Sequence, residues 1–177
     1  MLPRLPRLTR LPSPLFTIDD LLFRICRMEQ HSESDDTRQS GISARYAEAA
    51  ELEFVSADGY IPEAAVRRKI GEREIIIAEL DGQPAGYLRL EFLWSRVPFI
   101  ALIRVLPEFR RRGIGRALLA FAQRELGLAG HAALYSSSQA DEPKPQAWHR
   151  HVGFEECGFI AAINDNGIGE VFFRKPL

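Results

Sequence analysis

The spacing of hydrophobic and polar residues predicts a chain of alternating strands and helices. Residues 22 to 28 alternate as a short strand does, and residues 29 to 41 are polar and acidic without periodicity, which is typical of a loop. A helix is expected over residues 42 to 54 and a second over residues 62 to 71. The apolar positions that predict the first of these helices are Ile42, Tyr46, Ala49, Ala50 and Phe54.

Three strands are predicted next, over residues 74 to 80, 85 to 94 and 97 to 106. Asp81-Gly82 separates the first two and is a strong signal for a tight hairpin turn. The three strands should therefore form an antiparallel meander. The third is almost continuously apolar, which predicts a central strand that is buried on both faces.

The periodicity then changes, and residues 113 to 128 carry apolar side chains along one face of a helix. A strand over residues 132 to 137, a short helix over 145 to 151 and two strands over 156 to 162 and 169 to 175 complete the pattern. This order predicts a layered α/β or α+β domain, with helices on both faces of a mixed sheet.

The composition is that of an ordinary globular protein. The chain has 177 residues, 23 basic against 24 acidic, a net charge of −1 and 46% hydrophobic residues. These values fit one domain and argue against a disordered chain or a general binder of nucleic acid. Its two cysteines are too few for a disulfide framework, so reduced thiols in a cytoplasmic protein are expected.

No part of the sequence predicts a membrane span. The longest apolar stretch, residues 97 to 106, contains Arg104 and is far shorter than the ~20 residues that a spanning helix needs. Residues 1 to 16 contain three arginines, no acidic residue and four prolines, and proline prevents an amphipathic helix there. We expect this segment to be a disordered tail.

The segment from Arg110 to Arg116 carries the strongest chemical signal, because it lies between a buried strand and an amphipathic helix. Gly113 and Gly115 let an anion approach the backbone, and the N-terminus of the helix adds partial positive charge. The pattern lacks the GK[ST] of a P-loop and the third glycine of a dinucleotide fingerprint. It therefore predicts a pyrophosphate-containing cofactor with a different cradle, although the glycines could also merely open a tight turn.

Two motifs together resemble those of the GNAT superfamily of N-acetyltransferases. VLPEFRRRGIGRALL is similar to the family's [Q/R]-x-x-G-x-[G/A] segment, and WHRHVGF resembles its later aromatic-Tyr-x-x-x-Gly-Phe element. The resemblance implies a mostly antiparallel sheet, a single domain over residues 17 to 177 and acetyl-CoA as co-substrate. The residues that it implies for cofactor binding are Ile103, Arg104 and Val105 along the pantetheine arm, and Arg110, Arg111, Arg112, Gly113, Ile114, Gly115 and Arg116 around the pyrophosphate.

The catalytic groups are less well determined. The family commonly uses a tyrosine to protonate the departing thiolate, and His149 occupies that position when the motif is anchored on Gly153. Another alignment places Trp148 there, and His149 could instead be structural. Glu91 lies on a strand face with Tyr87 and is the candidate base, although a glutamate in a surface ion pair is the simpler interpretation.

The resemblance implies an N-acetyltransferase in which an amine of a small molecule or protein attacks acetyl-CoA directly in a ternary complex. An alternative is a catalytically inactive acyl-CoA-binding module that acts as a sensor. No metal site is expected, since the spacing of His149, His151 and Cys157 matches no common one. Neither nucleic acid nor a membrane is an expected partner, and pairing between the last strands would form a homodimer.

Overall fold

The computed structural model describes residues 41–177, which form one seven-stranded sheet and four α-helices. The strands are β1 Ile42–Tyr46, β2 Ile75–Leu80, β3 Gln83–Leu93, β4 Val97–Val105, β5 Ala133–Gln139, β6 Glu155–Ile160 and β7 Glu170–Pro176. The helices are α1 Leu52–Ser56, α2 Glu63–Gly71, α3 Ile114–Leu128 and α4 Pro143–His151, with short 3-10 turns at Ala49–Glu51 and Pro107–Phe109. The predicted tail over residues 1 to 16 and strand over residues 22 to 28 lie outside the described residues.

The strands are arranged in the order β1-β2-β3-β4-β5-β7-β6, and each neighbouring pair is antiparallel except β4 and β5. The mixed, mostly antiparallel sheet is therefore confirmed. From the helix over residues 62 to 71 onward, nine helices and strands were predicted. Each begins and ends within two residues of the observed element. Both residues of the Asp81-Gly82 turn have positive φ, 53° and 78°, as a tight hairpin turn of this type requires.

Helices cover both faces of the sheet because β2 and β3 are apolar on both faces. Ile76 and Leu88 belong to a core packed around α3, whereas Ile75, Ile77 and Tyr87 pack with α1 and α2 on the other face. All five of these side chains are almost completely buried. None of the helices in the described part of the chain is long and apolar enough to cross a membrane.

The predicted helix over residues 42 to 54 is wrong in its first part. Residues 42–46 form strand β1, which pairs antiparallel with β2 from Ile42 opposite Leu80 to Tyr46 opposite Ile76. Ile42 and Tyr46 are four residues apart, so they share a face in a strand as well as in a helix. The periodicity is compatible with both structures, and pairing with the exposed edge of β2 decides between them.

The prediction that β4 is buried on both faces is wrong. Pro98 and Ile100, which lie on one face, are buried, but Phe99 on the other face and the residues from Ala101 to Val105 are only half-buried. Strand β5 pairs with β4 at Phe99 and Ile100 alone, and the two strands part beyond that point. The second half of β4 therefore borders an open cleft, whereas a central strand was predicted to have a neighbouring strand on each side.

Candidate active site

A cleft of about 1110 Å³ opens at the fork between β4 and β5. Its walls are the second half of β4, the segment that leads into α3, one side of α4 and the turn that follows α1. Nearly all of the residues predicted to bind the cofactor line it. These are Ile103, Arg104, Val105, Arg110, Arg111, Gly113, Ile114, Gly115 and Arg116, while the exposed Arg112 does not line the cleft.

The turn before α3 presents a row of free backbone donors. In the described part of the chain, the N–H groups of residues 111 to 116 donate to no backbone carbonyl. Arg111 and Gly113 have positive φ, 61° and 93°, and a turn that alternates in this way makes neighbouring N–H groups converge. The N-terminus of α3 adds its partial positive charge. This arrangement fits the pyrophosphate of a CoA molecule.

The side chain of Arg110 helps to hold this turn in place. Its Nε donates a hydrogen bond to the carbonyl oxygen of Val105, 3.2 Å away, and so ties the end of β4 to the start of the cradle. The cleft is also strongly basic, which favours a ligand with several phosphates. Its basic lining residues are Arg104, Arg110, Arg111, Arg116 and Lys144.

The second half of β4 offers an unpaired strand edge to the cleft. The edge facing β3 is paired up to Val105, which lies opposite Gly86, but the other edge has no β5 partner beyond Ile100. The backbone groups on that edge can therefore pair with an extended ligand that carries amides. The pantetheine arm predicted beside Ile103 and Val105 has this chemistry.

His149 lies at the fork itself and is held by two hydrogen bonds. Its Nδ1 is 2.9 Å from the carbonyl oxygen of Pro145, and its Nε2 is 2.8 Å from the hydroxyl of Ser136, which also lies 3.3 Å from the carbonyl oxygen of Ile100. The ring stacks on Phe173 with 4.6 Å between the centroids. These contacts tie α4 to β5 at the point where β4 and β5 separate.

The protonation of His149 follows from these partners. A carbonyl only accepts, so Nδ1 carries a hydrogen. The hydroxyl of Ser136 has one hydrogen, which goes either to Nε2 of a neutral ring or to the carbonyl oxygen of Ile100, and in the second case Nε2 donates its own hydrogen to Ser136. In both cases each ring hydrogen is already used within the protein. Burial lowers the pKa of His149, and its hydrogen bond to the Pro145 carbonyl raises it by a smaller amount. The imidazole therefore has no proton free for a thiolate in the cleft. Its role as the acid stays a prediction, and the geometry gives it a positioning role.

We expect His149 to make the stability of the protein depend on pH. Because its pKa is lower in the folded than in the unfolded protein, protonation favours unfolding once the pH falls below the unfolded value of about 6.5. The free energy of unfolding should decrease from pH 7.5 to pH 5.5, and less so in His149→Gln. Urea unfolding at both pH values tests this, with His151→Gln in the same helix as control. An equal decrease in wild type and His149→Gln would contradict it.

Glu91 is not brought together with the other predicted residues. It does not line the cleft, and its Oε2 lies 2.8 Å from Nζ of the buried Lys69. Lys69 also contacts Glu74 at 2.7 Å and the carbonyl of Leu90 at 3.1 Å. This ion pair supports the structural interpretation of Glu91. Residues 41–177 also contain no cluster of three side chains suited to a metal ion.

Three cleft residues with polar side chains were not singled out for a site by sequence reasoning. Asp58 and Tyr60 line the cleft from the turn after α1, and Lys144 does so from α4. Trp148, considered only as an alternative acid, packs its indole beside Gly115, 3.6 Å from where a Cβ atom would lie. The spacing of its motif identifies Trp148, but Asp58 and Tyr60 have no local signal because only the tertiary fold brings them to β4.

Comparisons with known proteins agree with this geometry. Residues 37–154 match the acetyltransferase (GNAT) family. The chain is 33% identical over 105 residues to aminoglycoside N(6')-acetyltransferase type 1 of Stenotrophomonas maltophilia. The aligned region covers 55% of this chain and 62% of that protein. An uncharacterised Mycobacterium leprae protein is 32% identical over 113 residues, 61% of this chain and 31% of its own length. The chain thus spans less than two thirds of either relative.

Solved structures share the fold. The ribosomal-protein-S18-alanine N-acetyltransferase of Escherichia coli superposes with a TM-score of 0.64 at 21% identity, covering 76% of this chain and 93% of its own. YncA of Salmonella typhimurium, whose structure contains acetyl-CoA, superposes with a TM-score of 0.65 at 14% identity, covering 77% and 94%. The predicted family resemblance is thereby confirmed, and the chain belongs to the GNAT family of acetyltransferases.

Proposed function

We propose that this protein transfers the acetyl group of acetyl-CoA to an amine by direct attack within a ternary complex. One observation carries the proposal. The turn over residues 111 to 116, whose N–H groups are free and of which all but Arg112 line the cleft, lies in the same cleft as the unpaired edge of β4, so one extended CoA molecule can use both. Membership of the GNAT family supports the activity, and this geometry supports the location proposed for the co-substrate.

The direction of the bound co-substrate follows from the order of these features. The phosphate cradle follows the C-terminal end of β4, so an arm that runs from it beside Val105 and Ile103 brings the thioester toward the fork near Ile100. A backbone N–H on that edge would then polarise the thioester carbonyl and stabilise the oxyanion. The amine would approach from the turn after α1, which forms the facing wall.

In the proposed reaction, the neutral amine forms a bond to the carbonyl carbon and the bond from that carbon to sulfur breaks. The amine loses one proton and the departing thiolate gains one, so the products are an acetamide and CoA. A thiol has a pKa of about 8.5 and leaves readily as thiolate near neutral pH, so a strong acid at His149 is not required. His149 and Ser136 would instead hold the fork open at a fixed width.

The acceptor is an amine, and the relative from Stenotrophomonas maltophilia suggests that an aminoglycoside is one class to try. The alternative, an inactive acyl-CoA sensor, is favoured by one observation: both nitrogens of His149 are engaged by Pro145 and Ser136. The two functions share the CoA site and differ only in turnover.

Two measurements on the purified protein test the proposal. Calorimetric titration should show micromolar binding of acetyl-CoA and CoA and much weaker binding of ATP. Thiol release from acetyl-CoA should then exceed the no-amine rate at least tenfold with at least one amine, for which we would use kanamycin A and alkyl diamines. Binding without thiol release would favour the sensor, and a folded sample that binds no CoA would refute both functions.

A further inference from the structure

The turn after α1 contributes a buried carboxylate to the cleft. Only 2% of the Asp58 side chain is exposed. Its Oδ1 accepts a hydrogen bond of 2.9 Å from the backbone N–H of Tyr60, which fixes the orientation of the carboxylate. Its Oδ2 is buried and has no hydrogen-bond donor among the described residues. Leaving a buried carboxylate oxygen without a donor is unfavourable, so a ligand that donates a hydrogen bond to it recovers that free energy.

The charge of Asp58 stands out against the rest of the cleft. Among the described lining residues it is the one acidic side chain, facing four arginines and a lysine. The nearest of these, Arg104, forms an ion pair with Asp58, with Nη1 3.9 Å from Oδ2, but this distance is too long for a hydrogen bond. The arginines of the cradle suit the phosphates of CoA, whereas a buried carboxylate oxygen without a hydrogen-bond donor suits a cation that can donate one.

We propose that Asp58 binds an ammonium group of the acceptor that is not the one acetylated. This rests on the proposed function and specifies its substrate class: amines with at least two positive charges. The ring of Tyr60 lines the cleft next to it and is 67% exposed, so it offers the same cation an aromatic face.

Asp58 lies beside β4 at some distance from the fork, which is why we assign it an ammonium group other than the reacting one. Asp58 faces Arg104, four residues beyond the fork at Ile100, which corresponds to about 13 Å along a strand. The reacting nitrogen has to be neutral and close to the fork. A nitrogen paired with a carboxylate is held in its charged form, so it is a poor nucleophile.

The test uses two probes that differ in one charge, 1,8-diaminooctane and 8-amino-1-octanol, with kanamycin A as a rigid polyamine. Each is titrated calorimetrically into the CoA-saturated protein and then assayed as an acceptor. The variant is Asp58→Asn, which keeps an oxygen for the N–H of Tyr60. The matched control is Asp81→Asn, at the exposed β2–β3 turn away from the cleft.

We expect wild type to acetylate the diamine with a kcat/KM at least tenfold higher than that for the amino alcohol, because the single nitrogen of the amino alcohol cannot react while it is paired with Asp58. Asp58→Asn should weaken binding of the diamine and kanamycin A at least tenfold and raise KM for both rather than lower kcat. Its kcat/KM for the amino alcohol and its affinity for acetyl-CoA should stay within threefold, and Asp81→Asn should resemble wild type throughout.

The assignment of Asp58 is overturned if neither polyamine binds, if Asp58→Asn binds the diamine as tightly as wild type does, or if wild type acetylates the diamine and the amino alcohol with equal kcat/KM. An altered acetyl-CoA affinity in Asp58→Asn would instead show that the carboxylate only orients Arg104, which also overturns it. Asp58-dependent binding of a polyamine without thiol release would refute the proposed catalysis and leave the ammonium site standing. The two proposals therefore fail separately.

Discussion

Replacing Gly115 with valine is expected to weaken binding of acetyl-CoA at least tenfold, or about 1.4 kcal/mol. Gly115 lies in the first turn of α3 and lines the cleft, and a Cβ atom there would touch the indole of Trp148 at 3.6 Å. That contact is acceptable for a methyl group, but the two γ-methyl groups of valine extend further. They must displace Trp148 or enter the space where the pyrophosphate approaches the N–H groups.

The same substitution near the other end of α3 provides the control. Gly127 is exposed, and a Cβ atom added there would have no neighbouring atom within 4 Å, so Gly127→Val costs helix propensity without touching the cleft. Calorimetry should give wild-type affinity for Gly127→Val and the loss for Gly115→Val, with circular dichroism showing that both are folded. Equal affinities of the two variants for acetyl-CoA would contradict the location of the cradle.

The cradle could be predicted from sequence because its physics is local. Gly113, Gly115 and the arginines around them lie within seven residues, and the periodicity places a strand before them and a helix after them. Free N–H donors at the start of a helix follow from backbone geometry alone. The structure adds the width of the cleft, which depends on where β5 separates from β4.

The acceptor side could not be predicted in this way. Asp58 follows a five-residue helix in a segment without a motif, and its burial depends on β4, which is far away in sequence. Likewise, the distance from Gly153 identifies His149, but its hydrogen bond to Ser136 arises only when α4 packs against β5. The spacing of a motif can identify a candidate residue, but the protonation state of that residue depends on its neighbours in the folded protein.

An ion-pair network near the start of α1, the helix that precedes Asp58, also lacks a sequence signal. Arg45 on β1 contacts Glu51 at 3.0 Å and Glu79 on β2 at 2.6 Å, which joins the start of α1 to the sheet. The Arg45 guanidinium lowers the pKa of Glu51. This network can form because residues 42–46 are a strand, which places Arg45 next to β2. The sequence analysis predicted a helix over residues 42 to 54 and therefore did not predict the network.

Replacing Gly86 with alanine is expected to destabilise the fold by about 1–3 kcal/mol, the range for overpacking a tightly packed site. A Cβ atom at Gly86 would overlap the carbonyl oxygen of Arg104 and would lie 3.1 Å from Cα of Val105. Both are backbone atoms of β4 and cannot rotate away. Strand β4 must therefore shift where its free edge forms the cleft, so affinity for acetyl-CoA should decrease as well.

Gly71→Ala is the matched control for this substitution, because the same methyl group is added where nothing lies within 4 Å. Gly71 ends helix α2, and alanine there should be neutral or stabilise by up to about 1 kcal/mol. Urea unfolding measures both free energies, and calorimetry at a temperature where Gly86→Ala is folded measures its affinity for acetyl-CoA. If Gly86→Ala were as stable as Gly71→Ala, β3 and β4 could not approach as closely at this point as the structure shows. If it were unstable but bound acetyl-CoA normally, the edge of β4 at Val105 would not form part of the CoA site.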